Sequence, residues 1–139
     1  MRRTLFLTTL CLLAIAPAAL AGDAKKAAVH KVTQSKSYLM VDPIYATIVT
    51  GERPIGLLMV GIGIDVPDDA LRKEADTAMP VLRDGYVRNM TIFAATAVRP
   101  SEQPDVGSIA ARLQRVTDRI LGRKGARVLL AQVAMRLSH

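Results

Sequence analysis

The sequence predicts an α+β domain: one small antiparallel or mixed sheet covered by helices, in the order β-β-α-α-β. Three observations predict it. Two apolar, β-branched stretches follow one another across a turn (Tyr38–Thr50 and Ile55–Val66), stretches with helical spacing come next, and an alternating stretch closes the chain (Arg127–Leu137). At 139 residues and 15.0 kDa, a single domain is the natural expectation. That domain is placed at residues 38–139, behind a leader (1–21) and a basic flexible linker (22–37).

The leader begins with the positive Met1-Arg2-Arg3 and continues as an apolar run from Leu5 to Ile15. Pro17 breaks that run, and Ala19-Leu20-Ala21 places small residues where a signal peptidase requires them. Cleavage after Ala21 and export to the periplasm are expected. The alternative is an uncleaved inner-membrane anchor, since about 18 apolar residues can span a bilayer. Pro17 and the Ala-Leu-Ala ending weigh against it. Arg2-Arg3 is a partial twin-arginine pattern that does not choose the export route. Residues 22–37 carry four lysines and one aspartate with little periodicity, which makes them a tether rather than core. The lone His30 there has no second ligand nearby.

Within the domain, Gly51-Glu52-Arg53-Pro54 is turn chemistry between the first two strands. Leu58, Val60, Ile62, Ile64 and Val66 share one face of the second strand, and Gly61 and Gly63 share the other. The flanking isoleucines and the missing Gly-x-x-Gly exclude a nucleotide loop, so these glycines are expected to admit a close-packed helix or backbone. Pro67-Asp68-Asp69 starts a helix reaching about Met79, and Pro80 kinks it or begins another. Val81, Leu82, Tyr86, Met90 and Phe93 keep helical spacing, with Tyr86 and Phe93 assigned to the core. Arg99–Pro104 is an exposed loop, and Asp105 or Ser108 caps the next helix. Its stripe is Val106, Ile109, Ala110, Leu113, Val116 and Ile120, and Gly122 stops it. In the last strand, Leu129, Ala131, Val133, Met135 and Leu137 are expected on one face.

Charge is unevenly spread. The chain holds 19 Lys+Arg against 12 Asp+Glu, a formal +7, and loss of Arg2 and Arg3 with the leader leaves 17 bases against 12 acids, or +5. Residues 38–105 carry six bases and ten acids, net −4, whereas 106–139 carry seven bases and one acid, net +6. Arg112, Arg115, Arg119 and Arg123 recur every three or four residues, so they form a candidate interaction face opposite the apolar stripe. Anionic lipid, an anionic polymer or an acidic protein would fit it, and the plain alternative is a solvated helix face. Acidic and basic halves also suggest head-to-tail self-association.

Other chemistries are scarce. Cys11, the only cysteine, lies in the leader, which excludes disulfides, a cysteine nucleophile and thiolate metal sites in the mature chain. Two histidines and no tryptophan leave no His-based catalytic or ligand set and no stacking platform for nucleic acid. No catalytic, cofactor or metal residue is nominated, and a non-enzymatic protein is expected. The acids Asp65, Asp68, Asp69, Glu74, Asp76 and Asp84 gather near a helix start, where capping accounts for them.

Several segments resemble the flagellar basal-body-associated FliL family. They are Tyr38-Leu-Met-Val-Asp-Pro43, Gly61-Ile-Gly-Ile-Asp-Val66 running into Pro67-Asp-Asp-Ala, Met79-Pro80-Val-Leu-Arg-Asp84, and the closing strand Val128–Met135. The resemblance covers about residues 38–137. It implies a stomatin-like extracytoplasmic domain, ring assembly, and protein partners in the flagellar stator or basal body. Two features depart from that family: a leader that looks cleavable instead of a retained anchor, and a basic Arg136-Leu-Ser-His139 ending. A divergent periplasmic relative is expected, with a secreted module binding an anionic polymer, lipid surface or acidic protein as the alternative.

Overall fold

β1 (Tyr38–Thr50) and β2 (Arg53–Asp65) form an antiparallel hairpin, in which β-branched and other apolar residues recur on one buried face of each strand on either side of a tight turn. The computed structural model describes residues 35–138. The expected leader, its cut after Ala21, Cys11, His30 and the linker before residue 35 lie outside the described residues, as does His139. The turn is only Gly51-Glu52, with Gly51 at φ +63°, a conformation that favours glycine. Arg53 and Pro54, expected in the turn, instead open β2. Pro54 is tolerated because it sits at the sheet margin opposite Val49, beyond the part of β2 that pairs with β3.

β3 (Arg127–Leu137) pairs with the other side of β2, so the sheet is antiparallel in the order β1-β2-β3. Val41, Ile44, Ala46 and Ile48 of β1 meet Leu58, Val60, Ile62 and Ile64 of β2 on the buried face. Each valine, leucine or isoleucine among them contributes roughly 1.5–3 kcal/mol through removal from water. The expected one-face set of β3 is corrected by a bulge. Gly61 opposes Gln132 while Ile62 opposes Leu130, which leaves Ala131 without a partner. An extra residue inverts the alternation, so Val128 and Leu130 join Val133, Met135 and Leu137 on the core side. Leu129 moves to the outer face opposite Gly63.

The helical region after β2 contains two helices, and a third precedes β3. α1 (Asp69–Thr77) starts where the Asp68 carboxylate accepts the Leu71 amide at 2.7 Å. It stops at Ala78, because Pro80 has no amide to continue the ladder and fits the first turn of α2 (Met79–Thr96). α3 (Val106–Leu121) is capped by Asp105, whose carboxylate accepts both the amide and hydroxyl of Ser108. Those bonds hold the Asp105 carboxyl below its ordinary range. Gly122, at φ +67°, ends α3 as expected.

α2 lies over β1 and α3 over β3, all on one face of the sheet. The helices touch where Gly85 faces Val116 and Ile120; a Cβ on Gly85 would lie 2.7 Å from Val116 Cγ1. At the next residue of each helix, the buried Tyr86 hydroxyl meets Thr117 Oγ1 at 2.7 Å. Thr117 spends its own proton on the Leu113 carbonyl, so Tyr86 is the donor of the pair. Burial pushes the Tyr86 phenol up, with the Thr117 bond pulling weakly the other way. Phe93 is buried, as expected of a core residue.

Candidate interaction surface

The four arginines expected to form one helical face divide into two pairs. Arg123 is not on the helix: α3 ends at Leu121, and the left-handed Gly122 turns the chain before Arg123. Its guanidinium bonds Glu74 of α1 at 2.9 Å, which ties the α3–β3 turn to α1. Arg112 is half-buried, with its guanidinium 5.5 Å from the centroid of the Phe93 ring on α2. Those two are held within the domain. Arg115 and Arg119, one helical turn apart, are exposed, and among the described residues neither has a carboxylate within ion-pair range. The helix therefore presents a pair of free guanidinium groups rather than a row of four.

The acidic half offers less than its net charge suggests. Asp65 bonds Arg127, Asp69 bonds Arg72, Asp84 bonds Arg88, and Asp42 and Glu102 lie within 4 Å of Arg83 and Arg99. Asp68 and Asp105 are occupied as helix caps. Together with Glu74, this leaves Glu52 and Asp76 as the acids of 38–105 without such a contact among the described residues. A second copy would find few free carboxylates on that half.

No described helix lies over the outer face of the sheet, which exposes Met40, Tyr45 and Leu57. Gly63 lies beneath the Tyr38 ring, so the space its missing side chain leaves admits an aromatic ring rather than the helix or backbone expected there. Gln114 is a positioning residue that no sequence motif marked. Its side chain donates to Ala126 O and Asp118 at 2.8 Å and accepts the Val128 amide at 2.9 Å, fixing where β3 leaves α3. Its only sequence signal is a polar residue beside the apolar stripe, a pattern shared by any surface glutamine.

Among the described residues no group of three or more metal-type ligands comes together. No described helix is long and apolar enough to cross a membrane. The chain matches no known family model and no curated protein.

Proposed function

We propose that the chain is an exported, non-enzymatic assembly protein of the FliL-like kind, and that it docks on an acidic face of another protein through Arg115 and Arg119. The observation that carries this reading is the division of the arginines. Arg112 and Arg123 are engaged inside the fold, whereas Arg115 and Arg119 stand exposed without a counter-ion among the described residues. Two fixed charges on a helix, one turn apart, suit an acidic surface and add little to stability. The flagellar stator or basal body is the partner the resemblance implies, with the mature chain starting at Gly22 in the periplasm.

The test combines a deletion strain with the double variant Arg115→Glu/Arg119→Glu. Loss of swimming in the deletion, restored by the unaltered chain and not by the folded double variant, is the expected result. Normal swimming without the gene would overturn the flagellar reading, and full rescue by the double variant would overturn the arginine site. Sedimentation at low and high salt shows whether the same charges drive self-association. Salt-sensitive binding to anionic vesicles instead would transfer the site to a lipid surface.

A further inference from the structure

The two edges of the sheet differ, and the difference points to a second binding surface, separate from Arg115 and Arg119. β1 is a poor template for another strand. It is broken by a register shift between Val41 and Ile44, and Pro43 within that shift has no amide to donate. β3 contains no proline, pairs only with β2, and its outer edge has no backbone bond to the 99–105 loop among the described residues.

The direction of its free groups follows from one hydrogen bond. Ser138 N donates to Ile55 O at 2.8 Å, so Ser138 faces β2. Antiparallel alternation then turns Arg136 and Ala134 toward β2 and leaves the amides and carbonyls of Val133, Met135 and Leu137 pointing outward. Two open cavities flank that stretch. One, of about 870 Å³, is lined by Leu57 and Met135–Ser138. The other, of about 450 Å³, lies between the Pro100–Pro104 loop and Val133–Met135. They share Met135, so free backbone groups and half-buried apolar side chains run together along the edge.

We propose that β3 is a strand-addition site for an extended segment of another protein, about five residues long, with alternating apolar residues and acidic flanks. Main-chain bonds to Val133, Met135 and Leu137 supply affinity, and the cavities take alternate side chains. Arg136, exposed on the rim, selects acid, in keeping with the net +6 of residues 106–139. A second β3 fits less well. Two-fold pairing centred on Met135 would set two Arg136 side chains at diagonal positions about 7–8 Å apart, a like-charge contact.

Two synthetic probes test the site: a peptide of alternating threonine and valine with glutamate at both ends, and the same peptide with lysine ends. Fluorescence anisotropy reads binding to the mature chain, and hydrogen exchange reads the amides. The glutamate peptide is expected to bind about tenfold more tightly than the lysine one and to slow exchange at Val133, Met135 and Leu137. Arg136→Glu should reverse that preference. Met135→Pro, which removes an outward amide and spares the β2 ladder, should abolish binding. No binding, equal binding of both peptides, or binding without protection on β3 would overturn the proposal. Concentration-dependent protection of the same amides without peptide would overturn it in favour of a second copy. Arg115→Glu/Arg119→Glu should leave the peptide's protection of the Val133, Met135 and Leu137 amides in place, which separates this site from the helical one.

Discussion

The buried hydroxyl pair between α2 and α3 gives a prediction whose sign depends on which residue donates. Tyr86 donates to Thr117, and Thr117 donates to the Leu113 carbonyl, so the two hydroxyls are not equivalent. In Tyr86→Phe the Thr117 proton keeps its acceptor, and only one bond is lost; the cost should be about 0.5–1.5 kcal/mol. In Thr117→Val the phenol, fully buried, loses its acceptor and stays dry, a cost of about 1–3 kcal/mol. In the double variant no orphaned hydroxyl is left. It should be no less stable than Thr117→Val alone, with a coupling on the order of 1 kcal/mol. Urea denaturation of the four proteins, with equal slopes, measures this. A double variant that loses the sum of the single losses would show that the two hydroxyls do not act as a pair, and the donor assignment would fall with it.

The same phenol predicts a loss of stability in alkali. Its native value is raised, so its contribution is complete below the unfolded value near 10 and is lost as pH rises from there through the native value; Tyr86→Phe should flatten that limb in a pH series of thermal melts. Leu113, fully buried beneath α3, should lose about 2–5 kcal/mol on change to alanine, whereas Arg115→Ala should stay within about 0.5 kcal/mol; equal losses in denaturant would invert the helix. Gly85→Ala presses a methyl group into Val116 and should cost about 1–3 kcal/mol unless the helices part, which a changed denaturant slope would reveal.

Much of the fold was legible because local rules agree with one another. Asp68, Pro80, Asp105 and Gly122 each mark a helix end for a reason contained in the residue itself: a capping carboxylate, a missing amide, a tolerated positive φ. What escaped was non-local. The bulge at Ala131 depends on how β3 meets β2, and nothing in the strand's own alternation announces an extra residue. The Tyr38 ring over Gly63 joins residues far apart in sequence that only the hairpin pairing brings together, so glycine spacing alone suggested the wrong occupant. Gln114 holds β3 in place through the α3–β3 turn, and a glutamine carries no mark of that duty.

Surface chemistry was the hardest to read for a related reason: charges counted along a chain say nothing of which ones meet. The −4 of residues 38–105 and the +6 of residues 106–139 suggested two complementary faces. Folding spends part of that contrast internally, because Arg123 and Arg127 of the basic half bond Glu74 and Asp65 of the acidic half. Most remaining acids pair with nearby arginines or cap helices, so the acidic half is nearly satisfied while Arg115, Arg119 and Arg136 remain without a carboxylate among the described residues. A domain with surplus exposed cations and few free acids favours an acidic partner over its own copy. Pro43 on β1 and like charges along β3 point the same way: both disfavour edge-to-edge pairing of identical chains, yet only the β1 edge is closed to a different one. On the proposed reading the helix pair and the open strand favour the same sign of partner, the first through Arg115 and Arg119 and the second through Arg136 beside a free backbone edge.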